Sequence, residues 1–261
     1  MRSLDIGATG MMAQQLNVDV ISNNIANMTT TGYKKQRAAF QDLIYQNLKR
    51  PGSTSSDSGT TLPSGIQVGL GVKTGAVYRM HSQGTVQMTG NDLDIAILGD
   101  GFFQIDLPDG TTAYTRDGTL QINENGEIVT VQGYSVQPSI TIPDNATAID
   151  INQEGEVLAT IQGITAVQNL GQFQMANFIN PAGLEAIGNN LFVETEASGA
   201  PVTGIAGQDQ FGRLEQGALE QSNVDVVAEI TSLITAQRAY EMNSNVISTS
   251  DEMMQTVSQL R

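Results

Sequence analysis

Leu4, Met11, Val18 and Ile25 recur every seven residues, and Ala8, Val20 and Ile21 widen the apolar stripe they form. Side chains seven apart share one side of an α-helix. The pattern predicts a helix over residues 3–28, uninterrupted after Gly10 and stopped by Thr29-Thr30-Thr31-Gly32. At about 1.5 Å per residue it is roughly 40 Å long. The far end repeats the arrangement: Val226, Leu233, Tyr240, Ile247 and Met254 step by seven, flanked by Ile230, Ile234, Val246, Val257 and Leu260. Residues 225–259 contain neither glycine nor proline, and Ser222, Asn223 or Asp225 could cap the start. A helix of that length points to a coiled-coil partner.

Between the helices the texture changes. Residues 51–75 (PGSTSSDSGTTLPSGIQVGLGVKTG) read as a loop or extended arm. From about 86 to 220, short alternating segments are separated by turn signals, and Asp109-Gly110, Asp117-Gly118 and Asn125-Gly126 are hairpin dipeptides. Leu120 and Ile122 lead into the last of these turns, and Ile128 or Val129 with Val131 lead out, so both sides read as strands. Ile122–Ile128 (INENGEI) resembles Ile151–Val157 (INQEGEV), which suggests one hairpin type used twice. The expected fold is α+β: an N-terminal axial helix (1–34), an extended arm (35–85), a central, mainly antiparallel β domain (86–220) and a C-terminal axial helix (221–261).

Neither helix can hide its stripe alone. Each apolar side chain gains roughly 1.5–3 kcal/mol from burial, and such positions at both chain ends call for cover. The first helix packing on the last, and the pair on other subunits, is one solution; burial against the β domain is the other. The seven-residue step and the helix lengths favour the first.

Composition narrows the function. With 39% hydrophobic and 15% charged residues among 261, the chain can bury a sizeable core, and 27 glycines fit many turns. No apolar run is long enough to span a membrane, and residues 1–20 show no basic cluster or apolar stretch of a secretory signal. The absence of cysteine is compatible with either redox compartment. A net charge of −15 argues against nucleic acid as a partner. The charge is uneven: residues 1–50 carry six basic side chains against three acids, and the remainder six against 24. Copies can therefore attract one another head to body, although a solvated acidic surface alone would give the same count.

Candidate chemistry is sparse. His81 is the sole histidine, in YRMHSQG with no nucleophile elbow, and reads as a surface or arm residue. A zinc site built of His or Cys is excluded. Asp92 and Asp94 share a strand face at i, i+2 and are the best pair for acid–base work, but a polar strand edge explains them as well. Asp150–Gly155 starts like a calcium loop and fails at its twelfth position, Ile161. Gly69-Leu70-Gly71 and Gly99-Asp100-Gly101 lack phosphate-loop spacing. No catalytic, metal or cofactor site is expected.

The most unusual stretch is Ser22–Asn27 (SNNIAN) followed by Thr31-Gly32-Tyr33-Lys34. Asn23 and Asn27 share a helix face, with Asn24 beside them. Such amides either end the helix or bond to neighbouring helices and fix register. SNNIANMTTTGYK resembles the amino-terminal signature of the bacterial flagellar rod and hook proteins. Residues 220–257 (EQSNVDVVAEITSLITAQRAYEMNSNVISTSDEMMQTV) resemble the carboxy-terminal signature of that family. TGNDLDIAILGDGFFQI (89–105) and Tyr114–Gly118 are similar to its β domain. LPSGIQVGLGV (62–72) resembles the arm of distal-rod members, as does the chain length.

The resemblance implies a drive-shaft subunit that carries torque to the hook and polymerises into a tube through its terminal helices. The β domain would lie outside and the arm between subunits. It implies as partners further copies of the chain, proximal rod proteins, hook subunits, the surrounding basal-body ring proteins and the flagellar type III export apparatus, with export lacking a cleaved signal. The assembly interface is expected at Leu4, Met11, Val18, Asn23, Asn24, Ile25, Asn27, Gly32 and Tyr33, and at Val226, Ile230, Leu233, Tyr240, Ile247 and Met254. A proximal rod or hook subunit is the nearest alternative. A secreted β-rich binding module and, remotely, a carboxylate-dependent hydrolase belong to other classes.

Overall fold

The computed structural model describes residues 2–51, 64–162, 166–208 and 210–259. Leu260 and the SSDSGTT part of the arm lie outside the described residues. The chain forms two compact units, one of residues 1–25, 36–78 and 226–261 and the other of residues 26–35 and 79–225.

The first unit contains both long helices, α1 (Arg2–Ala26) and α2 (Val226–Gln259). They run antiparallel and touch at three levels. Asn24 Nδ2 donates to Glu229 Oε2 at 3.2 Å, and Gly10 and Gly7 face Asn243 and Ile247. A Cβ on Gly10 would stand 2.8 Å from the Asn243 amide nitrogen and one on Gly7 3.0 Å from Ile247 Cγ1. The helix backbones therefore approach closely there because both positions lack side chains.

The described part of the arm is extended and paired. Gln36–Asp42 and Val72–Arg79 form one two-stranded sheet, and Tyr45–Lys49 and Ile66–Gly69 form another, in register Tyr45↔Gly69 to Lys49↔Ile66. The glycines that make the segment read as a loop also hide the alternation of Ile66, Val68, Leu70 and Val72. Chain going out and returning alongside itself satisfies its backbone groups by strand pairing. Thr9 of α1 anchors the ribbon, accepting from Val72 N–H at 3.4 Å.

The second unit is a β domain in which every strand pair is antiparallel. Its largest sheet has nine strands, with Phe102–Asp106 bonded to Thr112–Thr115, Ser135–Val136 and Gln174–Asn177. A three-stranded sheet of Ala146–Ile151, Glu156–Ile161 and Gln168–Gln172 packs nearby. Ile95, Ile97, Phe103, Ile105, Phe173 and Met175 centre the core, each fully buried.

The two similar heptapeptides do form the same turn. Asn123 Oδ1 accepts from Asn125 and Glu127 N–H, both at 2.9 Å, and Asn123 Nδ2 donates to Glu127 Oε2 at 2.9 Å. Asn152 repeats this with Glu154 and Glu156, donating to Glu156 Oε2 at 2.8 Å. Gly126 and Gly155 take φ of 81° and 83°, as the turn requires. Asp117-Gly118 departs from expectation, because the chain runs on there without a hairpin. Gly118 is needed for space: its carbonyl accepts from Ile95 N–H at 3.1 Å, and a Cβ would collide with the Ile95 carbonyl.

Candidate functional site

Two regions draw the sequence-predicted residues together. On α1, Leu4, Met11, Val18 and Ile25 are half-buried and share the face of buried Gly7 by their seven-residue step. On α2, Val226, Leu233 and Ile247 are half-buried, whereas Ile230, Tyr240 and Met254 are exposed. The fully buried positions of α2 are Ala236 and Ser250. These belong to a second seven-residue series, Glu229, Ala236, Asn243 and Ser250, which pattern reading for apolar residues passes over. The signal available was its smallness, which suits close helix approach.

The other side of α2 is apolar and wet. Val227 is 75% exposed there and Met242 62%, with Ile230 and Ile234, while Val246, Met253 and Val257 (62%) are exposed beside or in line with the buried series.

Asn24 is buried and bonded inside its own chain. It accepts from Gln36 N–H at 2.8 Å and donates to Gln36 O at 2.9 Å, besides its contact with Glu229. The amide thereby bridges α1, the start of the ribbon and α2. Asn23 is exposed, and Asn27 accepts from Thr30 through both its backbone and side-chain oxygens.

The second region lies in the β unit, where Thr31–Lys35 meets Glu220–Asn223. Gly32 N–H donates to Glu220 O at 2.8 Å. Gly32 has φ of 67°, and a Cβ there would stand 3.0 Å from the Arg116 backbone, so glycine is required twice over. Tyr33 O accepts from Asn223 N–H at 3.4 Å. Asn223 Oδ1 accepts from Lys35 N–H at 2.7 Å, while its Nδ2 donates to Met80 O and Ser82 O.

Under this crossing sits a buried ion cluster that the sequence analysis missed. Lys34 Nζ lies 2.6 Å from Glu220 Oε1 with both side chains fully buried, and also donates to Ser82 O at 2.9 Å. Gly84 N–H donates to the same carboxylate oxygen at 2.7 Å. Glu220 Oε2 has the Arg116 guanidinium at 3.6 Å, beyond hydrogen-bond reach, and no hydrogen bond of its own. Arg116 donates instead to the carbonyls of Gly101, at 2.9 Å, and Gly99. Burial pushes Lys34 down to about 8, helped by Arg116 and opposed by Glu220. Burial likewise lowers Arg116, against the pull of Glu220 and Asp100.

His81 is not a surface residue. Its ring meets Phe102 and Phe192 edge-on at 5.7 Å, and its buried Nδ1 lacks a hydrogen bond. Burial, then the charges of Lys34, Arg116 and Arg79, lower it to about 4, while a hydrogen bond to the Pro181 carbonyl works the other way. The site therefore holds neutral imidazole among cations. Asp94 is buried and accepts from Thr89 Oγ1 at 2.6 Å and Asn91 Nδ2 at 3.0 Å, while Asp92 is exposed. Among the described residues no cluster of His, Asp or Glu is placed to hold a metal ion, and no helix is long and apolar enough to cross a membrane. The arrangement clamps chain segments together, and its chemistry is that of a latch.

Three family models match the chain: a flagella basal body rod protein over residues 4–34, a flagellar hook protein FlgE/F/G D1 domain over 96–159, and a flagellar basal body rod FlgEFG protein C-terminal over 215–260. The chain is 58% identical to the flagellar basal-body rod protein FlgG of Caulobacter vibrioides over 261 residues, covering all of both chains. It is 52% identical to FlgG of Agrobacterium fabrum, covering 99% of this chain and 98% of the relative. With FlgG of Buchnera aphidicola subsp. Acyrthosiphon pisum the identity is 49%, covering 99% of each. The outer two matches contain Lys34 and Glu220 respectively.

Proposed function

The chain belongs to the FlgG family of flagellar basal-body rod proteins and is thus a structural subunit of the distal rod; from that premise we propose that it polymerises through its terminal helices, neighbours covering the faces a single copy leaves wet. The observation that carries this reading is the outer face of α2, a 34-residue helix with only Ala236 and Ser250 buried. Apolar side chains covered on assembly contribute roughly 1.5–3 kcal/mol each. A head-to-tail contact that does not close into a ring gives an open helical filament.

The half-buried stripe Leu4, Met11, Val18 and Ile25, with Val226, Leu233 and Ile247, belongs to the pairing of α1 with α2. Ile230, Tyr240 and Met254, exposed in one copy, join Val227 and Met242 as contacts to other copies. The Lys34–Glu220–Arg116 cluster fixes the segments from which both helices emerge, so that adhesion between helices transmits torque into the β unit. This work requires no catalysis. The partners that follow are further copies of the chain, proximal rod proteins below, hook subunits above, the surrounding ring proteins and the type III export apparatus.

The test is complementation of a chromosomal deletion by the full-length chain or by one lacking residues 225–261, scored by swimming and by electron microscopy of isolated basal bodies. Rods that stop short and are rescued by the full-length chain alone are expected. Complete rods without the gene would contradict the reading.

A further inference from the structure

Among the described residues the nine-stranded sheet has three edge strands, and they are not alike. Glu185–Gly188 opens with a carboxylate and carries a register shift between Ala186 and Gly188. Leu120–Ile122 is only three residues long. Charge, irregularity and shortness are ordinary protections of an edge against pairing with another chain. Val202–Ile205, four residues long, has neither charge nor irregularity. It is uncharged and pairs in unbroken register with Gln174–Asn177, and among the described residues no strand takes its other side.

A groove of about 680 Å³ lies along this edge, with Ile179, Val202, Gly204 and Phe211 in its lining. Ile179 is 90% exposed and Val202 55%. Gly204 admits the Phe211 ring, which any side chain at 204 would strike. Asn177, Thr203, Gln208 and Gln210 also line the groove, and unpaired backbone beside a groove of mixed polarity is what an added strand recognises, since the backbone supplies hydrogen bonds and alternate side chains fill the pocket.

The same chain carries a strand pair that needs such completion. Tyr45–Lys49 and Ile66–Gly69 form a sheet of two strands, which is marginal in water without a third. All five residues of Tyr45–Lys49 are exposed, with Leu48 at 53%. Charge matches as well. Residues 36–51 and 64–78 carry Arg37, Lys49, Arg50 and Lys73 against Asp42, whereas the unit bearing the groove has five basic and nineteen acidic residues.

We propose that strand Tyr45–Lys49 of one copy adds to the edge Val202–Ile205 of a second copy, with Leu48 seated in the groove between Ile179 and Phe211. This rests on the reading that copies of the chain assemble with one another, and it names the surface on which the ribbon of one meets the β unit of the next.

The chain has no cysteine, so disulfide trapping in isolated basal bodies is free of background. Leu48→Cys combined with Ile179→Cys is expected to give dimers and higher ladders on mild oxidation, and either substitution alone is not. A ladder from Leu48→Cys with Ile122→Cys, on the opposite edge, would overturn the proposal. So would a bond formed within one copy, seen as a faster-migrating monomer. Failure of the unmodified chain to enter rods would instead remove the assembly reading itself. As a second measurement, Ile179→Asp is expected to lower incorporated subunits roughly tenfold, the loss of one buried aliphatic anchor, with the unfolding midpoint of the monomer unchanged. Undiminished incorporation of that variant would also overturn the proposal.

Discussion

The β unit and the helix unit of this protein are built to opposite standards. In the β unit, Phe103, Ile105, Val157 and Phe173 are wholly buried, and even its charges, Lys34, Arg116 and Glu220, are enclosed and partnered. In the helix unit, α2 buries two small residues and leaves large apolar ones exposed, Val227, Ile230, Ile234 and Met242 among them. Ile44 of the ribbon is 81% exposed. One unit satisfies itself, and the other, on the proposed reading, is finished by neighbours. The difference locates function in surfaces that look unfinished, and it predicts that substitutions in the two units fail in different ways.

The largest effect is expected inside the finished unit. Glu220→Ala leaves Lys34 buried without its carboxylate, and it should cost about 3–5 kcal/mol, as removal of one partner of a buried pair does. Urea unfolding of the purified monomer measures it. Next comes the pH dependence of His81. Its folded pKa, about 4, lies below the unfolded value near 6.5, so the unfolded chain binds the proton first as pH falls. The stabilisation is present above pH 6.5 and is lost between 6.5 and about 4, on the order of 3 kcal/mol in total. His81→Phe should flatten that part of the profile, measured by unfolding at each pH. An unchanged slope would mean that His81 does not set it.

Smaller effects should follow at the two matched turns. Asn123→Ala and Asn152→Ala each remove an amide that binds two backbone N–H groups and a glutamate, and each should cost about 1–2 kcal/mol. Thermal unfolding of the two variants should shift alike, since the geometry is the same. The smallest effect on the monomer is expected from Val227→Ser, within about 0.5 kcal/mol for an exposed position. That variant should nevertheless impair rod assembly in basal-body preparations. A stable monomer that fails to assemble is the signature of the unfinished unit.

The sequence made some of this visible because some devices are local. Both helices were legible from the seven-residue steps of Leu4 to Ile25 and Val226 to Met254, and the paired hairpins from INENGEI and INQEGEV. Other features depend on residues far apart. Lys34, Arg116 and Glu220 each fall in a motif singled out by resemblance, yet no spacing relates positions 34, 116 and 220, so their cluster was not legible. Asp117-Gly118 misled because glycine serves two needs, positive φ and close packing, and only the neighbouring strand at Ile95 shows which applies. The pairing of residues 36–49 with 66–79 was hidden by the glycines interspersed with their apolar residues. On α2, the innermost positions are small or polar, so a search for apolar residues found one seam series and missed the other.

The central claim, that neighbours complete the helix unit, is tested most directly by amide hydrogen exchange of residues 3–28 and 225–259 in the free monomer and in assembled rods. Rapid exchange in the monomer and strong protection in the rod are expected there, with the β core around Phe103 and Phe173 protected in both. Equal, strong protection of the two helices in monomer and rod would show that the chain finishes itself, and would contradict the account.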